Sequence, residues 1–488
     1  MNLAAPGIGM HRTWGGGYAT SNGTSDASAV TSGAAGLLLS ALPNLSPWQV
    51  GARILNHADA IDTMPSNIPF AGSLGEGRLN VWNAYNQPSR ARLHYISREH
   101  TDADGDGVFL PGDTVLLSGF SWNLLAASHG SLSAEMEAFS PYVQWIDSTQ
   151  SLGVVQANDT VSHATAPFRF VVDPATPTNT LVHFRIQYAD TASAGRTDFF
   201  LYLHPQHMLW DENDIHISVT NTGQMGYSDG SAQAGIGWRR PGGAAQLMEI
   251  YFNGMGFWLG HNQTVLNQTL SAPITGCCPL DQQNHFQATA PISTIHRGDH
   301  GVKTIRSYFK DTLLNQFEVM RYAWGDTAAQ NRGILFLDHW IKNTGNQAIN
   351  NLYAGYFCDL DMHDSLFYRN ANIAAWDAQN RLGYQKNANH PVSFGMVLLQ
   401  SGTPHYYAID VSGNNGSMAI TDGFSDAEKW QVMTGGIGRP GGPVSDFAQY
   451  LGGEIPQIDT SGCALFSMAL VTGQNLSEAQ AFAQEALQ

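Results

Sequence analysis

Ser25 follows Gly23 and Thr24 at the head of an Ala- and Leu-rich stretch, NGTSDASAVTSGAAGLLL over residues 22–39. A serine in a turn that runs straight into a helix presents its Oγ outward. Its backbone N–H then joins the first-turn donors that have no intrahelical acceptor and favour negative charge nearby. The chemistry this suits is acyl transfer, with Ser25 as nucleophile and the backbone of Thr24 and Ser25 supporting the oxyanion. A hydroxyl alone is a weak nucleophile; it needs a base, and a third group to orient that base. Only 24 residues precede Ser25, and they contain one histidine, His11.

A second set of chemically capable residues is Asp102, Asp104 and Asp106, with Gly105 and Gly107 between them and Asp113 eleven residues after Asp102. Side-chain oxygens at positions 1, 3 and 5, the carbonyl of Val108 at 7 and a carboxylate at 12 have the spacing of a calcium loop. Three carboxylates this close repel one another unless a cation offsets them. The competing reading is a solvated acidic turn with left-handed glycines. No helical pattern flanks the loop, so calcium there is expected to be structural rather than a sensor's ion.

The elements that must position Ser25 are two helices. The apolar run over 34–42 is wrong for a surface helix and predicts one buried inside a domain, while being too short to span a membrane. Pro43 and Asn44 stop it. Ser46 caps the next helix with Pro47 at its first position, and Val50, Ile54 and Leu55 fall on one face. A helical hairpin packed behind the nucleophile is the expectation.

An ordered series of motifs surrounds this hairpin: Leu3-Ala4-Ala5-Pro6-Gly7, Trp14-Gly15-Gly16-Gly17-Tyr18, Gly23-Thr24-Ser25, Gly33-Ala34-Ala35-Gly36-Leu37-Leu38, Asn44-Leu45-Ser46-Pro47, and Gly75-Glu76-Gly77-Arg78-Leu79-Asn80-Val81-Trp82-Asn83-Ala84. Together they resemble the end of a subtilisin-like serine protease domain. The resemblance implies an α/β C-terminal fragment over 1–88 and a serine endopeptidase that cleaves protein or peptide substrates through an acyl-enzyme on Ser25. In that family the aspartate and histidine of the triad, and the oxyanion asparagine, precede the serine by a long stretch. His11 lacks the Gly-Thr-His setting of the family's base. The chain as given is therefore expected to be inactive, with Met1 an internal start. For subtilisin, the type member from which the magnitude comes, losing the serine or the histidine costs on the order of 10⁶ in turnover, about 8 kcal/mol of barrier. The chain also carries Ala29 and Val30 where the family often has a Pro-His pair, positions that shape packing rather than proton transfer.

Composition bounds the remaining 400 residues. Charged residues make up 13% of the chain and the formal net charge is −17, which excludes nucleic acid and anionic membrane surfaces as partners. Scarce lysine with frequent glycine and aromatics suggests a secreted or cell-surface, β-rich protein. Near Gln87 and Pro88 helical spacing gives way to alternation, and strands are predicted over 114–117, 143–146, 168–172, 181–188 and 198–203. These define an immunoglobulin-like sandwich over 89–205 that carries the calcium loop. Over 206–488 a larger antiparallel β-sandwich is expected, with strands at 215–220, 246–259, 334–340, 352–359, 394–399 and 406–411, one helix capped by Ser425 and another beginning at Ser477. It resembles C-terminal domains appended to large secreted bacterial proteins. The fold class is thus multidomain, α/β then mainly β. Without proteolysis, the alternative function is a non-catalytic adhesive module binding a cell-surface or glycan ligand through its sandwiches.

Several fragments invite overreading. Gly436-Ile437-Gly438-Arg439-Pro440-Gly441 matches a dinucleotide fingerprint by letter, but Pro440 would interrupt the helix that must receive the pyrophosphate. Arg297-Gly298-Asp299 is short enough to arise by chance. Asp359, Asp361, His363 and Asp364 could hold a second cation or simply terminate a strand. Cys277 and Cys278 are adjacent, while Cys358 and Cys463 fall on predicted strands; one or two disulfides fit an oxidising compartment, and no spacing supports zinc.

Overall fold

The computed structural model describes residues 3–102, 105, 107–191, 194–226, 237–238, 240, 254–267, 285–296, 303–360, 371–420 and 424–488. They form two compact units, Met1–Leu203 and His204–Gln488.

The first unit opens with an antiparallel hairpin of β1 (Met10–Trp14) and β2 (Gly17–Ser21). Gly15 and Gly16 connect the strands at φ 56° and 84°, the left-handed pair that a two-residue turn needs to match strand twist. Three helices follow: α1 (Thr24–Ala41), α2 (Pro47–Asn56) and α3 (Val81–Asn86). α2 starts on a reciprocal cap in which the Gln49 N–H donates to the Ser46 hydroxyl at 3.3 Å and the Ser46 N–H to the Gln49 side chain at 2.9 Å. Leu38, Val50, Ile54 and Ala84 make a small core where the three helices meet.

α1 itself is not buried as its composition suggested. Ala34 and Leu38 are its buried residues, and Leu37 is 61% exposed. The apolar run circles the whole helix, whereas α2 and α3 cover one side of it. α2 is also fastened to the chain leaving α3. The buried Arg53 donates to the carbonyls of Ala84, Tyr85 (3.2 Å) and Gln87 (2.5 Å) and to the Ser89 hydroxyl (2.6 Å).

Nine strands then build a sandwich. One sheet has the order β3 (Leu93–Thr101), β4 (Thr114–Asn123), β9 (Phe168–Val172), β6 (Val143–Asp147), with β8 (Thr160–Ser162) also on β4. The other has the order β11 (Arg196–Leu203), β10 (Thr180–Ala189), β5 (Leu132–Ala138), β7 (Thr149–Gly153). Alternate residues of β4, β5 and β9 point inward, and Phe168, Phe170, Phe184 and Phe199 fill the core between the sheets.

This core contains a polar chain whose state is set by geometry. The Gln150 Oε1 can only accept, so His163 Nδ1–H donates to it at 2.6 Å; Nε2 then accepts from the Ser121 hydroxyl at 2.6 Å, and Ser121 accepts from Tyr188 at 2.5 Å. Protonating Nε2 would set donor against donor. His163 is 1% exposed, and burial pushes its pKa from 6.5 down to about 4. The unfolded chain therefore binds the proton first. The stability this histidine's neutral form supports is fully present above about 6.5 and is lost as pH falls toward 4. Moving from pH 7 to pH 5 is expected to cost about 2 kcal/mol through this group. Denaturant titrations of wild type and His163→Gln at both pH values check it. Equal pH dependence in the two proteins would refute the assignment.

In the second unit two nine-stranded sheets face each other. The first runs His207–Trp210, Ile217–Thr220, Gln224–Met225, Met255–His261, Leu352–Asp359, Phe447–Ile455, Pro404–Asp410, Ile437–Arg439, with Thr264–Asn267 paired to Met255–His261. The second runs Phe286–Ala288, Lys303–Asp311, Phe317–Gly325, Ile334–Asn343, Cys463–Gly473, Ser393–Leu398, Leu382–Asn387, Asn372–Asp377, with Ser293–His296 on Lys303–Asp311. Between them the Phe257 ring stacks on His339 at 4.5 Å. Burial holds the His339 imidazole neutral, and Arg321, wholly buried, donates to the carbonyls of Gly223 and Thr220.

Two helices lie on these sheets. α4 (Asp426–Thr434) starts on Ser425, the expected cap, and the cap is reciprocal with Glu428. α5 (Leu476–Ala486) is capped by Asn475 rather than beginning at Ser477: Asn475 is extended, at φ −156°, and its side-chain oxygen accepts from Glu478 N–H at 3.0 Å. Residues 437–439 form a strand parallel to Pro404–Asp410, so the fingerprint-like glycines have no helix to serve. Cys358 is buried and Cys463 exposed, and both thiols are free, so the two do not form a disulfide; burial and the neighbouring Asp359 push the Cys358 thiol up. Cys277, Cys278, Arg297-Gly298-Asp299, Asp361, His363 and Asp364, with 246–253 of the predicted strand 246–259, lie outside the described residues.

Candidate active site

Ser25 is the second residue of α1, with Gly23 as the extended residue before the helix. Three contacts pin that turn. Gly23 N–H donates to Gly7 O at 2.8 Å, Asn22 Oδ1 accepts from Gly9 N–H at 2.6 Å, and the Asp26 carboxylate accepts from the Ser21 hydroxyl at 2.9 and 3.0 Å. The first contact requires glycine at position 7, because a Cβ there would lie 2.7 Å from Gly23 O and 3.2 Å from the Ala27 Cβ. Asp26, in the first turn, also suits the positive end of the helix.

The segment before β1, which carries Gly7, is anchored in the same way. Ala4 bridges Arg78 in parallel, with Ala4 N–H to Gly77 O and Leu79 N–H to Ala4 O both at 2.8 Å, and Arg78 bridges Asp59 on its other side. Gly77 has φ 126°, and a Cβ on it would sit 2.1 Å from Asp59 O. Hydrogen bonds from Arg78 and Asn80 hold the Asp59 carboxyl below its ordinary range. Segments far apart in sequence, 3–7, 22–25 and 75–84, are thus one constellation around the start of α1.

Within it, Thr24 and Ser25 are exposed, and among the described residues the Ser25 side chain has no hydrogen-bond partner. His11 lies across the hairpin, its Nδ1 paired with the Thr20 hydroxyl at 3.3 Å. The arrangement supplies a presented hydroxyl and helix-start donors. Among the described residues it supplies no base bonded to that hydroxyl. The sequence places Asp26 in the first helical turn, as observed; the contacts of Gly7 and Asn22 that hold the turn are tertiary and are not written in the local sequence.

Of the calcium-loop residues, Asp102, Val108 and Asp113 are described, while Asp104 and Asp106 lie outside the described residues. Asp102 is 7% exposed, and its Oδ1 accepts from Gly105 N–H at 2.8 Å. Gly105 and Gly107 both have φ 73°, the left-handed region that glycine enters without strain. Asp113 Oδ2 accepts from Leu110 N–H at 2.6 Å. Among the described residues no three His, Cys, Asp or Glu side chains gather as for a metal. No described helix is long and apolar enough to cross a membrane.

No curated protein matches the chain. Among solved structures, the sporulation control protein Spo0M from Bacillus subtilis aligns at 8% identity and a TM-score of 0.17, over 52% of this chain and 80% of that one. A putative aldose 1-epimerase from Klebsiella pneumoniae subsp. pneumoniae aligns at 8% identity and a TM-score of 0.27, over 63% and 87%. Likenesses this slight bear on neither fold nor function. The segment that carries the Ser25 constellation does have a relative: residues 1–85 match the model of the subtilase family.

Proposed function

We propose that residues 1–85 carry the nucleophile of a secreted subtilisin-like serine endopeptidase, with the triad's aspartate and histidine supplied by residues outside this sequence. The observation that carries the reading is the exposed Ser25 hydroxyl, without a hydrogen-bond partner among the described residues, at a helix start that the Gly7 and Gly23 contact holds in place. In the complete site Ser25 Oγ attacks a peptide carbonyl, its proton passes to the base, and the Ser25 N–H is one donor to the oxyanion. Water then releases the acyl group. By itself the chain is silent, because an unassisted serine hydroxyl does not acylate at a useful rate.

A fluorophosphonate probe tests this directly. The 488-residue chain is expected to stay unlabelled, and protein from the natural source to be labelled at Ser25, read by peptide mass. Labelling at another serine would overturn the reading, and no labelling in the natural protein would overturn it in favour of the adhesive-module alternative.

Calcium in the loop from Asp102 to Asp113 is proposed as a structural ion. Asp102, the carbonyl of Val108 and Asp113, with Asp104 and Asp106, would hold it; all are hard oxygen donors, and the left-handed glycines let the loop close on a centre. At a calcium concentration 100-fold above its Kd, binding adds about 2.7 kcal/mol to stability. Chelation is therefore expected to lower the melting temperature of the wild type but not of Asp104→Ala or Asp106→Ala. An unchanged melting temperature on chelating the wild type would remove the ion.

A further inference from the structure

The first unit contains a cleft of about 410 Å³, within the range of small-ligand sites. One wall is the side of α2 that carries Trp48, Ala52 and Leu55, with Leu124 beside it, and Gly51 leaves open room: a Cβ on it would meet nothing within 4 Å. The other wall is polar, made of Glu76, Arg92, His94, Arg196, Thr197 and Asp198. The Trp48 ring lies 6.0 Å from that of His94 across the corner.

The polar wall is mostly committed to itself, and what it leaves free is informative. Arg92 pairs with Glu76 at 2.9 Å, and its guanidinium lies where a side chain on Gly195 would be. Asp198 is taken by Arg185 and His183, both at 2.7 Å. Arg196 is different. Its side chain is only 18% exposed, yet its nearest carboxylates lie beyond hydrogen-bond length, Glu76 at 3.7 Å and Asp198 at 3.8 Å, and both approach Nε. The terminal nitrogens of its fork have no partner among the described residues. His94 offers one more donor. The Thr197 hydroxyl accepts from Tyr95 N–H at 3.1 Å and pairs with His94 Nδ1 at 3.2 Å; with the hydroxyl donating there, the imidazole proton sits on Nε2.

Three guanidinium groups, Arg92, Arg185 and Arg196, face two carboxylates, Glu76 and Asp198. One positive charge is left over, on the residue with free donors. A half-buried charge in that position is offset by a single negative group, and a planar fork suits a carboxylate. We propose that this cleft binds a monoanionic carboxylate with a flat apolar or aromatic body, the carboxylate on Arg196 and the His94 Nε2–H, the body against Trp48 and the α2 wall. The site does not depend on Ser25 or on proteolysis. Two sources share this chemistry, a free aryl carboxylate and the C-terminal residue of a peptide.

Titration calorimetry on the full chain tests it, with N-acetyl-phenylalanine, its amide, and a hexapeptide ending in phenylalanine as acid and as amide. An acid is expected to bind at least about tenfold more tightly than its amide, since a charge-assisted contact is lost. Binding of the hexapeptide acid marks a peptide C-terminus as the source; binding of N-acetyl-phenylalanine without the hexapeptide marks a free carboxylate. Arg196→Gln is expected to abolish the preference for acid over amide. Gly51→Leu fills the cleft while raising helix propensity, so it should block every probe without lowering the melting temperature. Amides binding as well as acids, no probe binding at about 10 mM, or unchanged binding in Gly51→Leu would each overturn the proposal.

Discussion

In the active protein, Ser25→Ala is expected to lower turnover on the order of 10⁶-fold, about 8 kcal/mol of barrier, while leaving the melting temperature of the first unit where it was. Both halves of that expectation come from the same geometry. The Ser25 side chain is exposed and has no hydrogen-bond partner among the described residues, so truncating it removes no packing and orphans no polar atom. Surface changes of this kind shift stability by about 0.5 kcal/mol or less. The turn is held instead by Gly7, Asn22 and Asp26, none of which needs the hydroxyl. A purely structural serine would give the opposite pattern, a change in stability with turnover intact. Steady-state kinetics and thermal melts on the same preparation separate the two. Residual turnover within about tenfold of wild type would mean the nucleophile is elsewhere.

The features legible in the sequence were those written within a few residues. Ser46 with Pro47 and Gln49, and Ser425 with Glu428, carry their cap chemistry in adjacent letters, and both caps form. Strand alternation in 114–117 and 168–172 reports a local period, and the structure extends the first of these to Asn123. α5 starts at Leu476, one residue before the expected Ser477, because Asn475 takes the extended conformation that caps it, and only the backbone decides such a boundary. The exposure of Leu37 was not legible. An apolar run that circles a helix states that this stretch can be buried on every side, not that the elements of this unit surround it. Nor could the cleft be read from sequence, since Thr197 and His94 on its wall are 103 residues apart; the Arg53 contacts are as distant, meeting carbonyls 31 or more residues on.

The second unit holds the other large effect. Asp311 ends the strand Lys303–Asp311, is wholly buried, and caps the loop to Phe317–Gly325 by itself. Its Oδ1 accepts from the N–H groups of Leu314 and Asn315, both at 2.6 Å, and its Oδ2 from those of Gln316 at 2.8 Å and Phe317 at 2.7 Å. Four amides thus converge on one carboxylate, and the loop they shape carries Asn315 at φ 53°. Asp311→Ala leaves all four without that acceptor. Each charge-assisted bond contributes about 1.5–3 kcal/mol, but the exposed middle of the loop can turn to water once released, so the sum is discounted to about 3–5 kcal/mol. The Phe317 amide has no such escape, because Phe317 is buried where the next strand begins. Added salt should not diminish the loss, since the carboxylate is out of reach of screening ions. Denaturant unfolding of the full chain with and without about 1 M salt measures both points. A cost under about 1 kcal/mol, or one that salt removes, would show that the loop is held by its flanking strands and not by Asp311.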